Sequence, residues 1–129
     1  MIDIESAVFT PVAKALRDAF PGISVSSTYV HAPKSFPHVS LVEQDNYPTG
    51  ERLDTSEHER FATLMYEINV YSDKASGKKA QCREIMVVID ELLYQKNFTR
   101  LSLTPVPNME NANIYRLVAR YRVATLYRR

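Results

Sequence analysis

Two stretches of strict alternation, Phe61 to Asp73 and Ile114 to Tyr127, flank one amphipathic stretch, Ser76 to Lys96. A period of two puts successive side chains on opposite faces of a sheet, and a period of 3.6 gathers them on one side of a helix. The second half of the chain therefore reads as strand, helix, strand, strand. A strand rises about 3.3 Å per residue, so the last stretch would reach roughly 45 Å, more than a chain of this size needs to cover its own core. That excess predicts pairing outside the subunit.

In the first alternating stretch Ala62, Leu64, Tyr66, Ile68 and Val70 form the expected core face, with Thr63, Met65, Glu67, Asn69 and Tyr71 opposite. The helix carries a broad apolar stripe of Ala80, Cys82, Ile85, Met86, Ile89, Leu92 and Leu93. Asp73 or Ser76 can cap its start. Lys96 and Asn97 suit its end, because a cation opposes the helix dipole and asparagine tolerates the left-handed conformation. Phe98 to Val106 makes a shorter strand closed by Pro105 and Pro107, and Asn108 to Asn113 turns the chain. The last strand sets Tyr115, Leu117, Ala119, Tyr121, Val123, Thr125 and Tyr127 on one face and Ile114, Arg116, Val118, Arg120, Arg122, Ala124 and Leu126 on the other.

The first half begins with Ile4, Val8, Val12, Leu16, Ala19 and Phe20 at helical spacing, read as one helix kinked at Pro11 and ended by Pro21 and Gly22. Ile23 to Tyr29 and His38 to Glu43 alternate as two strands, expected to pair antiparallel. Asp45 to Arg60 shows only turn formers and charges, a long loop either disordered in isolation or reserved for a partner. The order is α-β-β-β-α-β-β: an α+β domain with a mostly antiparallel sheet and two helices packed on one face.

Composition narrows the function classes. At 129 residues and 45% hydrophobic, residues 1–129 fit one domain with a real core. The single cysteine, Cys82, excludes an intrachain disulfide and a cysteine metal cluster. Met1 to Glu5 shows no signal peptide, and the apolar runs fall far short of the roughly 20 residues that span a bilayer, so no membrane is expected. A net charge of +1 argues against a dedicated nucleic-acid binder. The charge is nevertheless uneven: five acids (Asp45, Glu51, Asp54, Glu57, Glu59) face two arginines between Asp45 and Arg60, whereas seven bases face only Glu110 from Lys96 onward.

No catalytic constellation stands out. His31, His38 and His58 lack metal-ligand spacing, and the Gly77–Lys78–Lys79 run lacks the upstream glycine and following hydroxyl of a phosphate loop. Cys82 reads as a small buried hydrophobe, and Glu43 and Glu67, expected to face each other across neighbouring strands, have no partner that would split their acidities. Two surfaces remain. Tyr115, Tyr121 and Tyr127 share a strand face as core packing or as a contact surface. Arg116, Arg120 and Arg122 form a basic row, either a solubilising face or a surface past which a phosphate backbone runs.

The run Tyr66–Glu67–Ile68–Asn69–Val70–Tyr71–Ser72, then Gly77–Lys78–Lys79, a helix with Ile89–Asp90–Glu91, Asn97–Phe98–Thr99–Arg100, Pro105–Val106–Pro107–Asn108 and Ile114–Tyr115–Arg116, resembles the small tail-terminator, or tail-completion, proteins of siphophages and prophages of Gram-positive bacteria. These are often labelled minor capsid proteins. Phe36–Pro37 and Glu43–Asn46 extend the resemblance over nearly the whole chain. It implies a structural virion protein, made in the bacterial cytoplasm, with neither catalysis nor cofactor. Such a protein forms a closed ring, commonly a hexamer, on the head-proximal end of the tail tube, stops its polymerisation and meets the head-tail connector. A neck or connector protein is the alternative, and a small nuclease or other enzyme a remoter one. A head-to-tail ring needs two different complementary patches per subunit. Candidates are the acidic residues Asp45, Glu51, Asp54, Glu57 and Glu59 with the tyrosines of the last strand, and the row Arg116, Arg120 and Arg122, which could alternatively face DNA in the ring's lumen.

Overall fold

A computed structural model describes residues 2–30, 32–49, 61–107 and 113–126. Helix α1 (Glu5–Ala19) is followed by strands β1 (Ser24–Ser26), β2 (His38–Thr49) and β3 (Phe61–Ser72). Helix α2 (Lys78–Gln95) and strands β4 (Thr99–Pro105) and β5 (Tyr115–Leu126) complete the order α-β-β-β-α-β-β. The strands make one five-stranded sheet in the order β1-β2-β3-β5-β4, antiparallel except between β1 and β2. This is the expected α+β architecture.

The core takes alternate residues from the three long strands: Val39 and Leu41, Ala62 through Val70, and Leu117 through Val123. Val8, Val12 and Leu16 of α1 and Cys82, Ile85, Met86, Ile89 and Leu93 of α2 join the same cluster, so both helices cover one face. Helix α1 runs unbroken through Pro11. Its first turn is held by Asp3, whose Oδ1 accepts the Glu5 N–H at 3.1 Å. Tyrosine fits this core because its ring is apolar and its hydroxyl can end at the rim. Tyr66 packs edge-on to Phe98 and donates to Glu43 at 3.2 Å, and Tyr121 donates to Asp90 at 2.7 Å.

Helix α2 ends as Asn97 implied. Asn97 adopts φ 71°, its N–H reaches the Tyr94 carbonyl, and the Phe98 N–H reaches the Leu93 carbonyl, both at 3.0 Å. This pair of bonds closes the last turn and brings Phe98 under Leu93. The start differs from expectation. Neither Asp73 nor Ser76 caps it; Gly77 holds the cap position at φ 85° and its carbonyl takes the Gln81 N–H at 2.9 Å. A glycine reaches that left-handed conformation without a Cβ clash, so the chain turns there instead of at a side-chain cap.

Two further expectations are corrected. β1 is only three residues long and pairs parallel to β2, with Ser24 opposite His38. The connection between them is too long for a hairpin and returns the chain to the starting end of β1. β2 does not stop at Glu43 but continues through Thr49 along β3, so Asp45–Thr49 is strand, not loop. A register shift between Glu43 and Asp45 breaks the period of two there, which hides the strand from a pattern reading. β2, β3 and β5 are each twelve residues, and β3 pairs along its whole length with β5 and nearly so with β2. Nearly all of this strand length is used inside the subunit.

Candidate assembly surface

The sheet face away from the helices carries an ordered polar ladder. Cross-strand register brings Arg116 beside Tyr71, Asn69 beside Val118, Glu67 beside Arg120 and Met65 beside Arg122. Arg116 donates through Nε and Nη2 to Asn69 Oδ1 at 2.9 and 2.7 Å, and its guanidinium lies 5.7 Å from the centre of the Tyr71 ring. Asn69 Nδ2 donates to Glu67 Oε1 at 3.1 Å. The other oxygen, Glu67 Oε2, takes Gln44 Nε2 at 3.0 Å and Arg120 Nη2 at 3.1 Å. The Glu67 side chain is only 12% exposed, so these donors replace most of its water. Asn69 works as a double-ended bridge because an amide both donates and accepts.

One end of this face is closed. Asn69, Ser40 and Tyr71 are buried there together with His38. His38 Nδ1 lies 2.9 Å from Ser24 Oγ, which ties β2 to β1, and burial lowers the pKa of the ring. The rings of His38 and Tyr71 stand 6.1 Å apart, and burial raises the Tyr71 phenol.

The edges are unequal in length. β1 covers β2 only from His38 to Ser40, leaving Leu41–Thr49 with a strand neighbour on one side among the described residues. β4, seven residues long, forms the opposite edge, and among the described residues the Val123–Leu126 end of β5 has no strand partner on that side. Open strand edges present unpaired N–H and C=O groups and invite a further strand. β4 carries short Thr99, Ser102 and Thr104 opposite Arg122, Arg120 and Val118. Beside it, α2 and β4 enclose a groove of 260 Å³ with Met86, Val87, Leu103 and Leu117 as its apolar walls. Arg100 bonds Asp90 across it at 3.2 Å.

The candidate residues separate accordingly. Asp45 is exposed on the open edge of β2, opposite Met65 and in line with Arg122. Glu51, Asp54, Glu57, Glu59 and Tyr127 lie outside the described residues. Tyr121 is buried under α2 and belongs to the core, and Tyr115 packs partly buried against the same cluster. The three arginines share one face as expected, but Arg116 and Arg120 already hold protein partners; Arg122 has no ion pair among the described residues. Glu43 and Glu67 do not face each other: Glu43 lies opposite Tyr66 on the helix side and Glu67 opposite Val42 on the other. Burial raises the Glu43 pKa while its bond to Tyr66 lowers it.

Cys82 is buried against the Val70 and Tyr115 carbonyls at 3.7 and 3.8 Å, with burial pushing its thiol up to about 12. Among the described residues no three His, Cys, Asp or Glu side chains group as a metal site, and no helix is long and apolar enough to cross a membrane. The sequence reading missed Asn69 and Gln44 as ladder members. Alternation marked the face of Asn69, but only strand register shows what each touches. Comparison of the chain with models of known families and with curated proteins gives no match.

Proposed function

We propose that this protein is a structural ring subunit of a phage tail, capping the head-proximal end of the tail tube and presenting a surface to the head connector. The observation that carries this reading is a sheet with two different open edges, acidic Asp45 on one and Arg122 beside the other. Unlike surfaces on opposite sides of a subunit give head-to-tail contacts, and such contacts close into rings when the rotation allows. The likeness in sequence to tail-terminator proteins supplies the setting. The polar ladder holds the sheet rigid between the edges, so a contact at one side keeps a fixed geometry relative to the other.

Native mass spectrometry and negative-stain imaging of the purified protein test the ring, which should appear as one closed stoichiometry. The second half of the reading is tested by adding the protein to polymerising tail-tube subunits. Tubes should then stop growing at one end and carry a ring there. Unchanged tube growth, with no ring on either end, overturns the capping role.

A further inference from the structure

We infer that the ring contact is a strand junction, with β4 of one copy adding antiparallel to β2 of the next at Leu41–Tyr47; this rests on the ring reading above. Three observations lead to it. The first is direction: β2 and β5 both run antiparallel to β3, and β4 runs antiparallel to β5. In copies that repeat head to tail, β4 therefore meets the next β2 antiparallel, the pairing with the more stable hydrogen-bond ladder.

The second is space. β1 blocks β2 from His38 to Ser40, so a direct continuation of the rows would lay Thr104 and Pro105 over β1. A displacement of two residues clears β1 and keeps every side chain on its own face. All of β4 then lies along the open edge, with Pro105 opposite Leu41, Ser102 opposite Asp45 and Thr99 opposite Tyr47 of the next copy. A stagger of this kind is what a sheet needs in order to close on itself.

The third is chemistry. On the face away from the helices, Ser102 and Thr99 are short and stand in front of Arg120 and Arg122. Two strand spacings separate β5 from the incoming β2, about 10 Å; within one subunit the same spacing sets Asp45 and Arg122 on either side of the long Met65 side chain, whereas across the junction only the short Ser102 stands between the charges. Asp45 of the next copy thus comes to face Arg120 and Arg122 across Ser102. Tyr47, 42% exposed in the single chain, comes into line with Arg122, where an aromatic face accepts a guanidinium. Both edges are bulged, at Gln44 and at Leu101, so neither is an indiscriminate template for any extended chain.

Two experiments on the full chain test this. In the first, Asp45→Arg and Arg122→Glu are made singly and together and followed by native mass spectrometry, with circular dichroism as the check on folding. Each single change should lower the ring fraction at least tenfold, and the double change should restore it. In the second, Asp45→Cys with Ser102→Cys is oxidised and run without reductant; a ladder of covalent oligomers ending at the ring size is expected, and neither single cysteine should give it. Rings that persist in both charge variants, without cross-linking in the cysteine pair, overturn the strand junction and leave the ring reading intact. A wild-type protein that stays monomeric both alone and on tail tubes overturns the ring reading itself. Binding of β4 to a different protein, seen as cross-links from Ser102→Cys to a tube or connector subunit in place of the ladder, overturns the self-pairing.

Discussion

Asn69 holds a demanding position in the sheet. It is fully buried, accepts two bonds from Arg116 and donates one to Glu67. Asn69→Ala would leave a guanidinium and a carboxylate without their bridge. Hydrogen bonds to charged groups contribute about 1.5–3 kcal/mol each, and the half-buried Arg116 regains water for its two, so the loss should be about 3 kcal/mol, read as a lower urea midpoint at unchanged slope. His38 offers a second test. Burial lowers its pKa below the unfolded value of 6.5, so the folded state resists protonation while the unfolded chain accepts it. Stability should be complete above pH 6.5 and decline as pH falls through the unfolded pKa toward the folded one. Glu43, with its raised pKa, works in the opposite direction just above its ordinary value of 4.5. Comparing thermal midpoints of the wild type and His38→Asn at pH 7.5 and 5.5 isolates the histidine; the wild type should lose more on acidification than the variant.

At the scale of elements, both ends of α2 depend on left-handed residues, Gly77 and Asn97. No atom lies within 4 Å of a Cβ placed on Gly77, so Gly77→Ala meets no steric neighbour and its cost is that of the backbone conformation alone. That cost is about 1–2 kcal/mol. Asn97→Gly should be neutral or slightly stabilising by the same reasoning, and equilibrium unfolding separates the two. Asn97 was legible in the sequence because asparagine and glycine are common at helix ends, whereas Gly77 lay behind two better capping residues that the chain does not use. The long strands were legible because β3 and β5 keep a period of two throughout. The second half of β2 was not, since the bulge at Gln44 shifts its phase and its stabilising partner, β3, is distant in sequence. The parallel β1–β2 pair was hidden for a related reason: strand direction follows from where the connection ends, which local alternation does not encode. On the site side, the shared face of the arginines could be read directly, while their partners required the register.

For the molecule as a whole, charge and burial make different predictions. The proposed junction relies on exposed charges, which salt screens over about 8 Å at physiological ionic strength. Ring dissociation, followed by native mass spectrometry or sedimentation, should therefore rise between 50 mM and 500 mM salt, while the urea midpoint of the subunit hardly moves. Leu64→Ala should show the reverse pattern. It removes a fully buried side chain at about 2–5 kcal/mol and weakens the ring only by depleting folded subunits. Cys82 allows those two effects to be followed in one sample. Its sulfur is sealed beneath α2 against β3 and β5, and it is the only thiol in the chain. An alkylating reagent can reach it only when the helix lifts from the sheet, so the rate of labelling is a clock for that opening. With the protein labelled at concentrations below and above that at which the proposed ring forms, the clock reports how far such a contact slows the breathing of the subunit's interior.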